Sequence, residues 1–154
     1  MLFLVLLVAS LGGAATAAVL AVRGLVAVFR RNARSRPGWL RAAALLAGAG
    51  AVAAYTWGVL HVGYAVMQAE DGGAGSFPIA PCREAGPRLA SQVDGYDVSF
   101  LPIRFECHLT SGGTYVTSSV PGHVNPTAAG LGLITAGCAV LAAATARRTR
   151  APAG

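Results

Sequence analysis

Apolar residues in this chain run in long blocks, and the blocks set its organisation more than any short periodicity does. Residues 2–22 carry no charged side chain. Residues 42–67 form a second block, interrupted only by His61 and by polar groups near its ends. Residues 127–146 form a third, almost entirely small or aliphatic. A hydrocarbon core about 30 Å thick is crossed at 1.5 Å per residue by about 20 mainly apolar residues. Each block therefore predicts a transmembrane helix.

The pattern changes between the second and third blocks. Residues 68–76 read as a flexible exit from the second helix, and a polar stretch follows Cys82 as far as the Asp94-Gly95 turn signal. Beyond it, Ile103, Phe105, Cys107 and Leu109 alternate with Arg104, Glu106 and His108, the period of two that marks a half-buried strand. Ser111-Gly112-Gly113 predicts a turn, and residues 115–120, rich in Thr, Val and Tyr, predict a returning strand. Pro121-Gly122 ends it, and Asn125-Pro126 leads into the third helix, where proline suits a first turn. The expected fold is mainly α and membrane-embedded, with three transmembrane helices and a small disulfide-stapled β-hairpin segment outside. Its parts are a first helix over residues 1–29, an Arg-rich cytoplasmic loop over 30–41 and a second helix over 42–67. An extracytoplasmic segment over 68–126, a third helix over 127–146 and a cytoplasmic tail over 147–154 complete the chain.

Composition strengthens this picture. Hydrophobic residues make up 55% of the chain and charged residues 12%, against about 25% charged in an ordinary soluble domain. The net charge of +6 would suit nucleic acid if it were spread over a surface, but its distribution argues for topology instead. All six acids fall between residues 68 and 126 beside only three Arg, whereas the other nine Arg sit at 23–41 and 147–150 with no acid among them. Positive charge collects on the cytoplasmic side of membrane helices, so the expected arrangement in the cell membrane is N-terminus outside and C-terminus inside. The run Gly13-Ala14-Ala15-Thr16-Ala17-Ala18 resembles a signal-peptide cleavage region. A signal peptide also wants a basic stretch before its apolar core, and here the Arg residues follow the core. The first helix is therefore expected to be retained. Twelve Arg and no Lys, in an Ala- and Gly-rich chain, look like an actinobacterial coding bias.

Residues 24–36 mix Leu25, Val26, Val28 and Phe29 with an Arg run and read as a basic loop that fixes orientation. The alternatives are an extension of the first helix or a segment lying along an anionic leaflet. Tyr55, Trp57 and Tyr64 near one end of the second block, and Trp39 at the other, suit headgroup zones. Gly50, Ala54 and Gly58 on the second helix form a small face of the kind that lets membrane helices approach closely. Gly13, Ala17 and Ala21 on the first and Gly132 and Ala136 on the third do the same.

Candidate chemistry is sparse. Outside the cytoplasm, Cys82 and Cys107 are expected to form a disulfide, with Cys107 on the apolar face of its strand. Closing a loop of this length contributes about 3 kcal/mol in the chain-entropy account. Cys138 reads as a small apolar residue of helix packing. The stretch from Val98 to Cys107, the Gly turn, the second strand and the Pro-Gly-His-Val-Asn-Pro run before a helix resemble the outer hairpin of uncharacterised small multipass membrane proteins of actinobacteria. The likeness covers roughly residues 82–146; it implies topology and a disulfide and brings no catalytic residue.

No Cys-x-x-Cys redox pair is present. Glu106, Cys107, His108 and His123 are metal-ligand types, but alternation sets Glu106 and His108 against Cys107, so no metal site and no cofactor is expected. Ser118, Ser119, His108 and Asp97 include the residue types of a hydrolase triad without a nucleophile-elbow motif. Asp71-Gly72-Gly73-Ala74-Gly75 lacks the spacing of a phosphate loop. His61 is the one ionisable side chain well inside a block, and intramembrane polar residues are functional candidates by default; a structural hydrogen bond is the plainer reading. The expected function is that of a non-enzymatic structural or interaction protein of the cell envelope, not an enzyme. Its expected partners are the bilayer and either a helix of another protein or a second copy, with no nucleic acid. An oligomeric pore or transporter-like protein using His61 is the alternative, and a cell-envelope enzyme is the least supported.

Overall fold

The computed structural model describes residues 2–29, 36–70 and 79–148. The Arg run at 30–35, residues 71–76 of the expected flexible exit and residues 149–154 of the expected tail lie outside the described residues. The elements in chain order are α1 (Leu2–Phe29), α2 (Arg36–Glu70), a 3₁₀ turn (Ala80–Ala85), α3 (Pro87–Ala90), β1 (Val93–Phe100), β2 (Ile103–Leu109), β3 (Gly113–Val116) and α4 (Val124–Arg148). Among the described residues, three helices are long and apolar enough to cross a membrane: Leu2–Phe29, Gly38–Glu70 and Val124–Arg148. The three blocks of the sequence are these three helices. Residues 24–29 continue α1 and do not form a loop: no proline interrupts them, and the apolar run from Leu25 to Phe29 extends the helix despite Gly24 and the low propensity of valine and phenylalanine. Likewise residues 36–41 already belong to α2.

Four hydroxyls within the long helices are satisfied locally. Ser10, Thr16, Thr135 and Thr145 each donate to the carbonyl four residues earlier, at 2.7–2.9 Å. Where no water is present, an unpaired hydroxyl costs several kcal/mol, and this back-bonding removes that cost without a partner helix.

The chain divides into two compact units, one of residues 1–11 and 56–125 and the other of 12–55 and 126–154. In the second unit α2 and α4 run antiparallel at close range. A Cβ at Gly48 would meet Thr135 at 3.4 Å, and one at Gly50 would meet Leu131 Cδ1 at 3.0 Å. Gly24 of α1 is closed upon by Leu46, 2.8 Å from where its Cβ would be. The expected small face of Gly132 is not used in this way, since a Cβ there would meet nothing within 4 Å. Spacing alone could not tell the packed glycine from the open one.

The first unit holds an antiparallel sheet of order β1-β2-β3, with β2 in the centre. The anticipated hairpin is β2-β3, in register from Glu106↔Val116 to Leu109↔Gly113, and β3 ends at Val116, short of the expected 120. Gly112 lies in the turn with φ +86°, a conformation open to glycine and costly for residues with a Cβ. β1 is additional. The Asp94-Gly95 pair sits inside it as an irregularity, where the register shifts between Val93 and Gly95, and pairing then runs from His108 to Phe100↔Ile103. Glycine within a strand often marks such a bulge.

The alternation of β2 puts Ile103, Phe105 and Cys107 into a core that also takes Val93, Cys82, Ala90 and Val124. A three-stranded sheet needs a second layer over its apolar face, and α2 supplies it. Gly58 abuts Ile103. Val62, Ala65 and Val66, all buried, follow it at spacings of four, seven and eight and so lie on the same helical face. At the far end Tyr96 Oη donates to Glu70 Oε1 at 3.4 Å. α4 begins at this same glycine, because Val124 is its other close neighbour. α2 therefore continues for 12 residues beyond the start of α4, or about 18 Å at helical rise.

A Cβ at Gly58 would sit 2.8 Å from Val124 Cγ1 and 3.0 Å from Ile103 Cδ1. Gly58→Ala is expected to destabilise this unit by about 1–3 kcal/mol, as overpacking does, whereas Gly132→Ala is expected to be neutral or slightly stabilising. Unfolding of both variants in detergent, followed by circular dichroism, measures the difference.

Candidate functional site

The chemically distinctive residues cluster on the stapled sheet and on the stretch of α2 that supports it. Cys82, in the 3₁₀ turn, and Cys107, in the central strand, form a disulfide, and neither has any solvent exposure. Pro81 at the start of the turn fixes the backbone there, and β-alternation turns Cys107 inward, so both thiols meet in the core. The bridge joins positions 25 residues apart in sequence. It is tied down from the other side by Tyr115, whose hydroxyl donates to the Cys82 carbonyl.

Beside the bridge, Glu84 caps the loop after β3. Its Oε2 accepts from the backbone N–H of Ser118 at 3.0 Å and from the Ser118 hydroxyl. Thr117 N–H donates to the Phe105 carbonyl at 3.0 Å, and its hydroxyl is paired with that of Ser119 at 2.8 Å. Burial raises the Tyr115 pKa above its ordinary value, with the Glu84 carboxylate adding in the same direction. Tyr96 is raised for the same reasons, burial first and then the charge and hydrogen bond of Glu70. Tyr96 also stacks on Phe105 with ring centroids 5.0 Å apart.

The turn between β1 and β2 is held by Asn125. Its side-chain amide accepts from Ile103 N–H and donates to Ile103 C=O, both at 2.9 Å. One side chain at the start of α4 thus occupies a donor and an acceptor of the first residue of β2, as a neighbouring strand would. The turn itself carries Phe100, 41% exposed, and Leu101, 88% exposed. A leucine this open, at a position fixed from two sides, is the most conspicuous apolar group on the segment.

His61 lies three residues past Gly58 on α2, half-exposed, with Nδ1 2.8 Å from the Trp57 carbonyl. A carbonyl only accepts, so Nδ1 is the donor in this contact. The Trp57 indole meets the imidazole edge-on at 4.8 Å and is itself 53% exposed. An apolar groove of about 270 Å³ opens nearby between α1 and α2, with Leu6, Ser10 and Gly63 among its walls.

The other sequence candidates are dispersed. Glu106 pairs with Arg104 on its own face of β2 at 3.1 Å, a partly exposed contact worth at most about 1 kcal/mol. The Nε of Arg104 is not aligned for a hydrogen bond in this pair. Asp97 Oδ1 accepts from the N–H of Val98 at 2.7 Å, and Ser118 is engaged by Glu84, so Asp97, His108 and the two serines form no relay. Among the described residues no group of three or more His, Cys, Asp or Glu is placed to hold a metal. Cys138, on α4, is a free thiol of intermediate exposure. Sequence reading passed over Asn125, Glu84, Tyr115 and Tyr96. Only the first offered a local signal, an amide immediately before the proline of a helix start. Comparison of the chain with family models, with curated proteins and with solved structures finds no match.

Two measurements follow from this geometry. Replacing both Cys82 and Cys107 by Ser is expected to lower stability by about 3 kcal/mol, read as a shift of the thermal unfolding of the sheet. Tyr96 and Tyr115 ionise later in the folded protein than in the unfolded chain. Their contribution is therefore complete below pH 10, the ordinary tyrosine value, and is lost as pH rises through the raised folded values. Absorbance at 295 nm of wild type against Tyr96→Phe and Tyr115→Phe is expected to show both phenols titrating above free tyrosine.

Proposed function

We propose that this is an integral protein of the cell membrane that works without catalysis, by presenting a rigid stapled platform to another component of the cell envelope. Three helices of sufficient length and apolarity support the bilayer assignment. The Arg distribution supports an orientation with the N-terminus and the sheet outside and the C-terminus in the cytoplasm. A disulfide suits the same side, since oxidising conditions prevail there.

The observation that carries the reading is the apolar turn Phe100-Leu101. It is exposed, yet it is anchored by Asn125 and by the contact of Ile103 with Gly58. An apolar side chain held open on a rigid support is suited to contact, because little conformational entropy remains to be lost on binding. The residues around it are engaged in holding the sheet together and do not converge on a common point in space.

Orientation is tested by single cysteines in a Cys138→Ala background. An impermeant maleimide is expected to label Thr114→Cys on intact cells, and Arg148→Cys only after permeabilisation. The reverse pattern would overturn the topology. A photo-crosslinking residue at position 101 is expected to capture a discrete envelope protein in native membranes, and capture only of lipid would remove the platform reading.

A further inference from the structure

The unit of residues 12–55 and 126–154 contains nine Arg and no Asp or Glu. No side chain of that unit can neutralise them, so compensating anions must come from outside it. At one place the unit offers both a cation and a receptacle. A groove of about 370 Å³ lies between α2 and α4, lined by Arg41, Ala44 and Leu45 on one side and by Ala139, Ala142 and Ala143 on the other. Arg41 is its one charged wall, and everything deeper along the helices is apolar.

The order of groups along the groove matches a lipid read from its head downwards. Trp39, 54% exposed, is not in the groove wall but stands two residues before Arg41 on another side of α2 and marks the level of the polar end, where indoles favour the headgroup zone. Arg41 comes next and the alanine-lined channel follows. Arg147 and Arg148 stand in the last turn of α4, one turn past Ala143, and so add positive charge at the same end. Small side chains on both helices leave the channel open, since each alanine projects no further than its Cβ.

We propose that this groove binds an anionic phospholipid, its phosphate paired with Arg41 and an acyl chain lying along Ala44, Ala139 and Ala143. A second transmembrane helix is a poorer occupant, because it would have to bring a carboxylate to Arg41 at the edge of the hydrocarbon. The bilayer supplies a phosphate at that depth by its nature. Basic pockets between membrane helices bind anionic headgroups by the same physics. The inference rests on the reading of α2 and α4 as membrane-spanning.

The test uses the full chain with Trp57→Phe in phosphatidylcholine nanodiscs, with Trp39 fluorescence as the reporter. Ring-proximal quenching by acyl-brominated phosphatidylglycerol is expected at a mole fraction about five-fold lower than by brominated phosphatidylcholine, the factor a single Arg near an anionic surface provides. Arg41→Gln is expected to abolish the preference. Ala139→Leu leaves every charge in place and fills the channel on an exposed face of α4, and it too is expected to abolish it. A preference that survives Ala139→Leu would mean diffuse surface charge and would overturn the site, as would equal quenching by the two lipids in the unsubstituted groove. Displacement by soluble glycerol phosphate would overturn the acyl-chain part by showing a bare phosphate site. Trp39 unquenched by either lipid would instead refute the membrane placement on which the inference stands.

Discussion

A sheet of three short strands with one apolar face cannot hold itself together in water, and the need to cover that face organises this half of the molecule. Phe105, Ile103 and Cys107 are wholly or almost wholly buried, yet the sheet has no second sheet to pack on. The cover is the part of α2 that continues past the first residue of α4. A membrane span needs about 20 residues and α2 has 35. The surplus turns form the second layer of a small core, with Val62, Ala65 and Val66 on the face that Gly58 turns to Ile103. Shortening α2 to the length of a minimal span would remove the face that meets Ile103.

The polar contacts around this core divide the work by location. The disulfide joins the 3₁₀ turn to the central strand, and Tyr115 and Glu84 close the same side through Cys82 and Ser118. Asn125 closes the other end by pairing with both backbone groups of Ile103. Buried or half-buried backbone groups at the margin of a sheet are costly when unpaired, and at Ile103 and Ser118 they are met by side chains from outside the sheet. Of the sequence candidates, Glu106, Asp97, Ser118 and Ser119 are held in structural pairs.

What could be read in the sequence was what depends on length and local period. Apolar runs of 20 or more residues fix helices because nothing else satisfies the backbone in lipid, and 2–22, 42–67 and 127–146 lie within the three long helices. The alternation Ile103-Phe105-Cys107 likewise revealed β2 and the inward direction of Cys107. β1 was missed because Asp94-Gly95 is a turn signal by composition, and only pairing with His108 converts it into a strand irregularity. Tyr96, Val98 and Phe100 do alternate, but behind a glycine that interrupts the pattern. The pairings Asn125–Ile103 and Glu84–Ser118 span 22 and 34 residues. They involve single polar side chains, and no local pattern encodes such contacts. Gly58 and Gly132 look alike in sequence, and only the partner surface separates a glycine that is closed upon from one that is open.

The position of Asn125 has a further consequence for the order in which the protein is made. Both cysteines and all three strands precede it in the chain, so the sheet can be drawn together and oxidised while α4 is still being synthesised. The backbone groups of Ile103 gain their partner only when the start of α4 arrives, and the same event brings Val124 against Gly58. The emergence of the final helix is thereby registered at the sheet. A chain that stopped short of it would lack the Asn125 partner of Ile103 and the Val124 neighbour of Gly58.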